Sequence, residues 1–344
     1  MTCSRVLAVA AALALATVPA ANAQKQPKAQ VEIKVATLAP DGSTWMKTMR
    51  AIDTDVRKRT ENRVGFKFFP GGVQGDEKDV IRKMRNGQIH GAAFTGFGLG
   101  SIVSEVRVLE LPFMFDSLEE LDHVRAQTGD YYAKAFADKG YEVLGWTDVG
   151  FVYLFTRMPV RAPADMPGAR WWIWSGDQLA EIFFKAFKIT PIPLAAPDVL
   201  TSLQTGVVDA VYSSPLACVA LQWFTRVKYM SDLPVTHGIS AVVVSRKALA
   251  GVSAADLAVV HEVSVRHLAE LTAKTRVQND EAIEEIKKEG VQVVAVDPAT
   301  RREFVERGRA AWGDGVGTLY SQELLDRVKA ILADYRRTHG AGSR

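Results

Sequence analysis

After its first two dozen residues the chain changes hydrophobic period again and again, and each change predicts an element. Val31-Glu32-Ile33-Lys34-Val35-Ala36-Thr37 alternates at period two, the mark of a strand. Ser43 stands where a helix cap belongs, and Trp45, Met49, Ile52 and Val56 form the apolar stripe of the helix behind it. Val64 to Phe69 predicts a second strand, and Asp76 to Asn86 a second helix with Val80, Ile81 and Met84 inward and Gly87 as its stop. Ile89 to Thr95 predicts a third strand that runs into Gly96-Phe97-Gly98-Leu99-Gly100. Strand and helix in alternation imply a parallel sheet covered on both faces, with ligands gathering at the carboxyl ends of its strands.

A second set follows. Tyr141 to Trp146, Phe151 to Thr156, Ala169 to Trp174, Val207 to Ser213, Ser240 to Ser245 and Val291 to Val296 read as strands. Asp177 to Phe187 reads as a helix with Leu179, Ile182, Phe183 and Ala186 on one side. From Ser253 to Glu289 runs a helical pattern of unusual length, one helix or two, long enough to span two lobes. Helices around Phe304 to Trp312 and Gln322 to Tyr335 end the chain.

The first residues change the compartment. Met1 to Arg5 is a basic start, Val6 to Pro19 is apolar, and Ala21-Asn22-Ala23 is a small-x-small end, together describing a cleavable export signal over residues 1–23. The apolar run is shorter than the roughly 20 residues a spanning helix needs, and no later stretch is apolar enough to insert. Without Arg5 the charge goes from 42 − 39 = +3 to 41 − 39 = +2, interspersed rather than striped, which argues against nucleic-acid binding. Cys218 is then the one cysteine left, so no intramolecular disulfide forms. About 320 remaining residues exceed one core and imply two closely joined domains.

Several motifs, taken in order, carry a resemblance. Phe69-Pro70-Gly71-Gly72-Val73-Gln74-Gly75-Asp76-Glu77, Leu111-Pro112-Phe113-Met114-Phe115, Asp165-Met166-Pro167-Gly168, Pro191-Ile192-Pro193-Leu194, Leu203-Gln204-Thr205-Gly206-Val207-Val208-Asp209-Ala210 and Thr236-His237 are similar to the signature turns and loops of the TRAP-transporter solute receptors, the DctP-like family. The likeness extends over almost the whole exported chain. It implies an α/β, two-lobed periplasmic binding protein with a cleft between lobes and a lobe-spanning helix. One lobe would comprise residues 31–150 plus about 239–270, and the other 151–238 plus about 271–340. The resemblance also implies a receptor that closes on a small molecule and passes it to membrane permease subunits, without a cofactor.

The chain departs from that family at its carboxylate clamps. Family members that bind organic acids carry an Arg in the strand after the Asp-x-x-Gly turn; here the matching position is Trp172, with Arg170 two residues earlier. A second family Arg follows a glycine in the preceding strand, where this chain reads Gly150-Phe151-Val152-Tyr153. Trp171, Trp172 and Trp174 together hold three of seven tryptophans. The expected pocket is therefore aromatic and apolar, with Trp172 and Trp174 in the cleft and Trp171 in the core. It suits a neutral solute, or a quaternary ammonium held against indoles. Further candidates at strand ends are Phe94, Thr95, Phe97, Trp45, Asp41, Tyr212 and Ser213, together with Phe151 and Tyr153. Asp76 and Glu77 read as helix-terminus acids. The alternatives are an organic acid clamped by Arg170, a secreted hydrolase, and a non-transport scaffold or sensor partner. The six His show no metal spacing, and no G-x-S-x-G elbow, Walker loop or C-x-x-C occurs.

Overall fold

Period-two alternation in β1 (Val31–Thr37) leaves Ile33 and Val35 fully inward, and the strand pairs in parallel with β2 (Val64–Phe69) and β3 (Gly91–Thr95). The computed structural model describes residues 28–340, so the export signal expected over residues 1–23 lies outside the described residues. Between β1 and β2, α1 (Thr44–Arg59) starts where Ser43 Oγ accepts the Met46 N–H at 3.2 Å. It buries Met46, Met49, Ile52 and Val56 against the sheet, and Trp45 is only partly covered. Between β2 and β3, α2 (Glu77–Arg85) starts at a reciprocal cap between Asp76 and Asp79. The glycine-rich stretch forms a short helix, α3 (Gly96–Gly100), followed by a 3₁₀ segment over Ser104–Glu110 and then α4 (Leu118–Asp138).

The strands expected over Tyr141 to Trp146 and Phe151 to Thr156 are one strand, β4 (Tyr141–Thr156). It bulges between Val143 and Gly145 and again between Asp148 and Gly150. The second lobe continues with β5 (Trp172–Trp174), α5 (Gln178–Ala186), β6 (Ile192–Leu194), α6 (Val199–Thr205), β7 (Ala210–Ser213), α7 (Pro215–Ala220) and β8 (Tyr229–Ser231). The return strand β9 (Thr236–Ser245) lies antiparallel to both β3 and β4. Then come α8 (Arg246–Leu249), α9 (Ala254–Lys288), β10 (Gln292–Val294), α10 (Pro298–Ala310) and α11 (Gln322–His339). Because β4 and β9 run through both lobes, one sheet in the order β10-β8-β4-β9-β3-β1-β2 joins them, with β7 also on β4. A separate pair, β5 and β6, runs parallel.

The long helical pattern resolves into a single helix. α9 has 35 residues, about 52 Å at 1.5 Å per residue. Val260, Val263, Leu268 and Leu271 pack into the core of α1 and β1, whereas Ile286 packs with Trp172 and Trp223 in the other lobe. Where β4 passes between lobes, Gly150 has φ +114 and sits against Asn279 of α9. The Asn279 amide donates to Val149 O at 3.0 Å, and its oxygen accepts the Leu216 N–H at 3.1 Å. That one side chain ties together the crossover strand, the spanning helix and α7.

One expectation is corrected at the C-terminus. Residues up to 340 were expected in the second lobe, yet α11 packs on α4 of the first. Leu324, Leu325, Val328 and Leu332 share a core with Leu121, Val124, Tyr132 and Phe136. Arg336 grips the buried Glu120 carboxylate at 2.6 and 2.8 Å. The amphipathic stripe of α11 specifies that a face is buried, not which lobe buries it.

Candidate functional site

A cavity of about 610 Å³ lies between the lobes, and both contribute its wall. From the first lobe, β3 delivers Phe94 and Thr95 at its carboxyl end and α3 presents Phe97; Trp45 enters from the first turn of α1. From the second come Trp174 at the end of β5, Tyr212 and Ser213 at the end of β7, and Phe183 of α5. Phe97 stacks on Trp174 across the cleft, ring centroids 5.5 Å apart and planes inclined by 24°. The wall is mostly aliphatic and aromatic, the usual composition of a small-molecule pocket.

Polar bridges hold the lobes over this cavity. The Trp174 indole N–H donates to Asp76 Oδ1 at 3.2 Å, and the Ala196 N–H donates to Asp76 Oδ2 at 3.3 Å. The same carboxylate caps α2 through the Glu77 N–H at 2.8 Å. Asp76 is thus the helix-terminus acid expected, and it also accepts two donors from the opposite lobe. Lys78 Nζ reaches Ser175 O at 2.9 Å and stands 5.3 Å from the Phe97 ring centroid.

Four ionisable groups in the wall were not singled out as ligand groups from the sequence. Arg107 is buried, ion-paired with Glu110 at 2.8 Å on its own segment and donating to Asp177 at 3.0 and 3.1 Å across the cleft. Asp177 caps α5, accepting the Leu179 and Ala180 N–H groups. Burial disfavours the Arg107 charge, but the Asp177 and Glu110 carboxylates outweigh it and raise its pKa. Burial pushes Glu110 up as well, with Arg107 holding it back. Glu77 is fully enclosed and pushed up to about 8 by that burial, against the pull of the Thr95 N–H at 2.7 Å and the Thr95 hydroxyl at 2.9 Å. The glycines beside this cluster make room for it. A Cβ at Gly96 would overlap the Glu110 carboxylate, and one at Gly98 would sit 2.6 Å from Glu77 Oε2. A sequence signal existed: Arg107 and Glu110 are three residues apart in a run otherwise apolar from Val106 to Phe115.

The other candidates divide. Trp45, Phe94, Thr95, Phe97, Trp174, Tyr212, Ser213 and Asp41 line the cavity, the last paired with Arg50. Trp172, Arg170, Phe151 and Tyr153 do not. Trp172 points to the same side as Trp174, as strand alternation requires, but is wholly buried one layer behind it. Its N–H donates to Leu194 O at 3.1 Å, and its ring lies 4.6 Å from Trp174, 5.3 Å from Tyr212 and 5.1 Å from Trp223. Trp171 faces the opposite core, donating to Met166 O at 2.7 Å. Arg170 is 55% exposed because Asp209 holds its guanidinium at 2.7 Å away from the cleft. Phe151 packs edge-on against His237 at 5.1 Å, and Tyr153 packs on the core around Trp172.

Beneath the cavity floor, Asp148 is inaccessible and paired with Arg125 and Arg276, each at 2.8 Å. His237 lies 4.0 Å from it with neither ring nitrogen hydrogen-bonded. Burial lowers His237 to about 4, so the imidazole is neutral. In the wall itself Gln278 Oε1 and the Thr275 hydroxyl make no hydrogen bond within the protein. The Tyr212 hydroxyl likewise lacks a partner in normal geometry, although the Trp174 backbone amide faces it.

Known proteins resemble this chain in sequence and in fold. A solute-binding protein of Chromohalobacter salexigens is 32% identical over 165 residues, 47% of this chain and 49% of that protein. The 2,3-diketo-L-gulonate-binding periplasmic protein of Escherichia coli is 27% identical over 206 residues, 58% of this chain and 61% of that protein. The alignments therefore span about half to three-fifths of these relatives' lengths. Among solved structures, a TRAP periplasmic solute binding protein from Ralstonia eutropha with bound (S)-2-acetolactate superposes with a TM-score of 0.82 at 20% identity, covering 88% of this chain and 99% of that one, a likeness of fold. The chain belongs to the bacterial extracellular solute-binding proteins of family 7, the DctP family, whose model matches residues 35–316.

Proposed function

We propose that this protein is the periplasmic receptor of a TRAP-type secondary transporter, and that it captures a small hydrophobic or aromatic molecule by lobe closure and delivers it to membrane permease subunits. The observation that carries the reading is the cavity of about 610 Å³, built from both lobes and walled by Phe97, Trp174, Tyr212 and Phe183. Hinged closure buries such a solute on all sides, with Asn279 and the Gly150 bulge at the crossover as the pivot. An export signal at residues 1–23 would place it in the periplasm. One relative is named for an organic acid, 2,3-diketo-L-gulonate, and the comparison structure from Ralstonia eutropha holds (S)-2-acetolactate. Such a ligand wants an unengaged guanidinium, whereas Arg107 already holds two carboxylates and Arg170 holds Asp209.

Titration calorimetry against apolar aromatic solutes, paired with small-angle scattering, tests this reading. Binding should be one-to-one, carry a negative heat-capacity change and shrink the radius of gyration. One-to-one binding of dicarboxylates or sugar acids alone would replace the apolar-ligand reading with an organic-acid one.

A further inference from the structure

The charges in the cavity wall do not balance. Among the described residues the ionisable groups lining it are Asp41, Glu77, Arg107, Glu110, Asp148 and Asp177. Asp41 is answered by Arg50 at the rim, and Asp148 by Arg125 and Arg276 behind the floor. That leaves Glu77, Glu110 and Asp177 facing one guanidinium, Arg107, which is already bound by the last two. Even with Glu77 protonated, the wall keeps one more negative than positive charge. In a medium that excludes water such an excess acts strongly on whatever enters.

The hydrogen-bonding inventory leans the same way. Four donors of the wall are turned onto protein acceptors: Thr95 onto Glu77, Thr236 onto Glu110 O at 2.6 Å, Ser240 onto Phe94 O at 2.6 Å, and the Trp174 indole onto Asp76. Gln278 pairs with Thr44 Oγ1 at 2.8 Å through its amide nitrogen, and its enclosed Oε1 has no partner within the protein. The hydroxyls of Tyr212 and Thr275 can act in either sense. Beside these carboxylates stand the rings of Trp174, Tyr212 and Trp45, electron-rich surfaces that attract a cation, whereas Phe97 already has the Lys78 ammonium 5.3 Å from its centroid.

We infer that the ligand is an organic cation, an ammonium or amidinium on an apolar or aromatic frame, with its charged nitrogen directed to the Glu77–Asp177 side of the cavity and its frame against the aromatic wall. The inference rests on the solute-receptor reading and narrows it to one charge class. It accounts for the missing carboxylate clamps: a pocket whose one arginine is already held by two carboxylates has no place for a third.

A charge-sorted panel of small metabolites, read by thermal melting, is the test, supplemented by calorimetry on one isosteric series: phenethylammonium, 3-phenylpropanamide and 3-phenylpropanoate. The melting temperature should rise with cations, and within the series the ammonium should bind at least tenfold tighter than the amide and the carboxylate not at all. Asp177→Asn keeps an acceptor at the α5 cap while removing one charge, and it should weaken ammonium binding at least tenfold; Glu110→Gln, which removes the other carboxylate charge held at Arg107, should do so independently if the first variant is poorly folded. Carboxylates or phosphates as the best stabilisers would overturn the inference and leave the receptor reading standing, as would neutral solutes binding best. No response in any class would defeat the receptor reading and the inference with it.

Discussion

Arg107, carried by the first lobe, grips both carboxylate oxygens of Asp177 in the second, at 3.0 and 3.1 Å, both side chains buried in the cavity wall. This ion pair connects lobe closure to α5, because the same Asp177 caps that helix. Arg107→Met removes the cation and strands Glu110 and Asp177 as buried charges. Breaking one side of a buried pair costs about 3–5 kcal/mol, so urea unfolding should show a loss in that range. A loss below about 1 kcal/mol, the value typical of solvated surface pairs, would show that water reaches the pair.

Trp172 and Trp174, neighbours on one strand face, should behave oppositely on substitution. Trp172→Ala empties a site enclosed by Tyr212, Trp223 and Trp174 and should cost about 3–5 kcal/mol of stability. Trp174→Ala removes cavity wall, the Phe97 stack and the bond to Asp76. Its main effect should fall on binding, by about 2 kcal/mol or more, roughly thirtyfold in Kd. Calorimetry and denaturation on both variants read the two effects separately, and a ligand-affinity loss confined to Trp172→Ala would reverse the assignment.

Gly96 and Gly129 offer a matched pair. A methyl at Gly96 collides with the Glu110 carboxylate, whereas one at Gly129, in the middle of α4, meets nothing within 4 Å. Gly129→Ala should raise stability by about 0.5–1 kcal/mol through helix propensity. Gly96→Ala should lower it, and thermal melting of the two single variants shows the sign directly.

Two buried groups give the pH dependence opposite slopes. Glu77 rises from its ordinary 4.5 to about 8 on folding, chiefly through burial. The folded state then keeps a proton that the unfolded chain releases, so this contribution is full below about pH 4.5 and is lost as pH rises to 8. His237 falls from 6.5 to about 4, again through burial. Its contribution is full above pH 6.5 and is lost as pH falls toward 4. Each slope is about 1.4 kcal/mol per pH unit at most, so the two offset one another between pH 4.5 and 6.5. Glu77→Gln should flatten stability between pH 6.5 and 8 and unmask a rise with pH between 4.5 and 6.5. Unfolding free energies across that range check both, and unchanged curves would mean that Glu77 ionises freely in the fold.

How much of this was legible in the sequence follows from what each signal measures. Strand alternation and helix stripes located β1, β2, α1, α2, α5 and α9, because each reports on one face of one element. The same local logic split β4 in two at its bulges and could not say that α11 returns to α4, since both depend on distant partners. At the site, Trp174 and Trp172 share a face, and parity cannot tell which of two same-face residues reaches the cavity and which lies a layer behind. Arg170 looked available because Asp209, its partner, is 39 positions away. Arg107 and Glu110 were legible only as charges misplaced among apolar residues, and Asp177 only as the start of a helix, signals that do not name the partner.

The central claim is that the cavity holds a small, largely apolar solute without net negative charge. Native mass spectrometry of the protein purified from cells grown on complex medium, followed by release and identification of what co-purifies, tests it most directly. The account predicts one molecule per chain, aromatic or apolar in frame and cationic or neutral. A dicarboxylate or sugar acid bound one-to-one would contradict it.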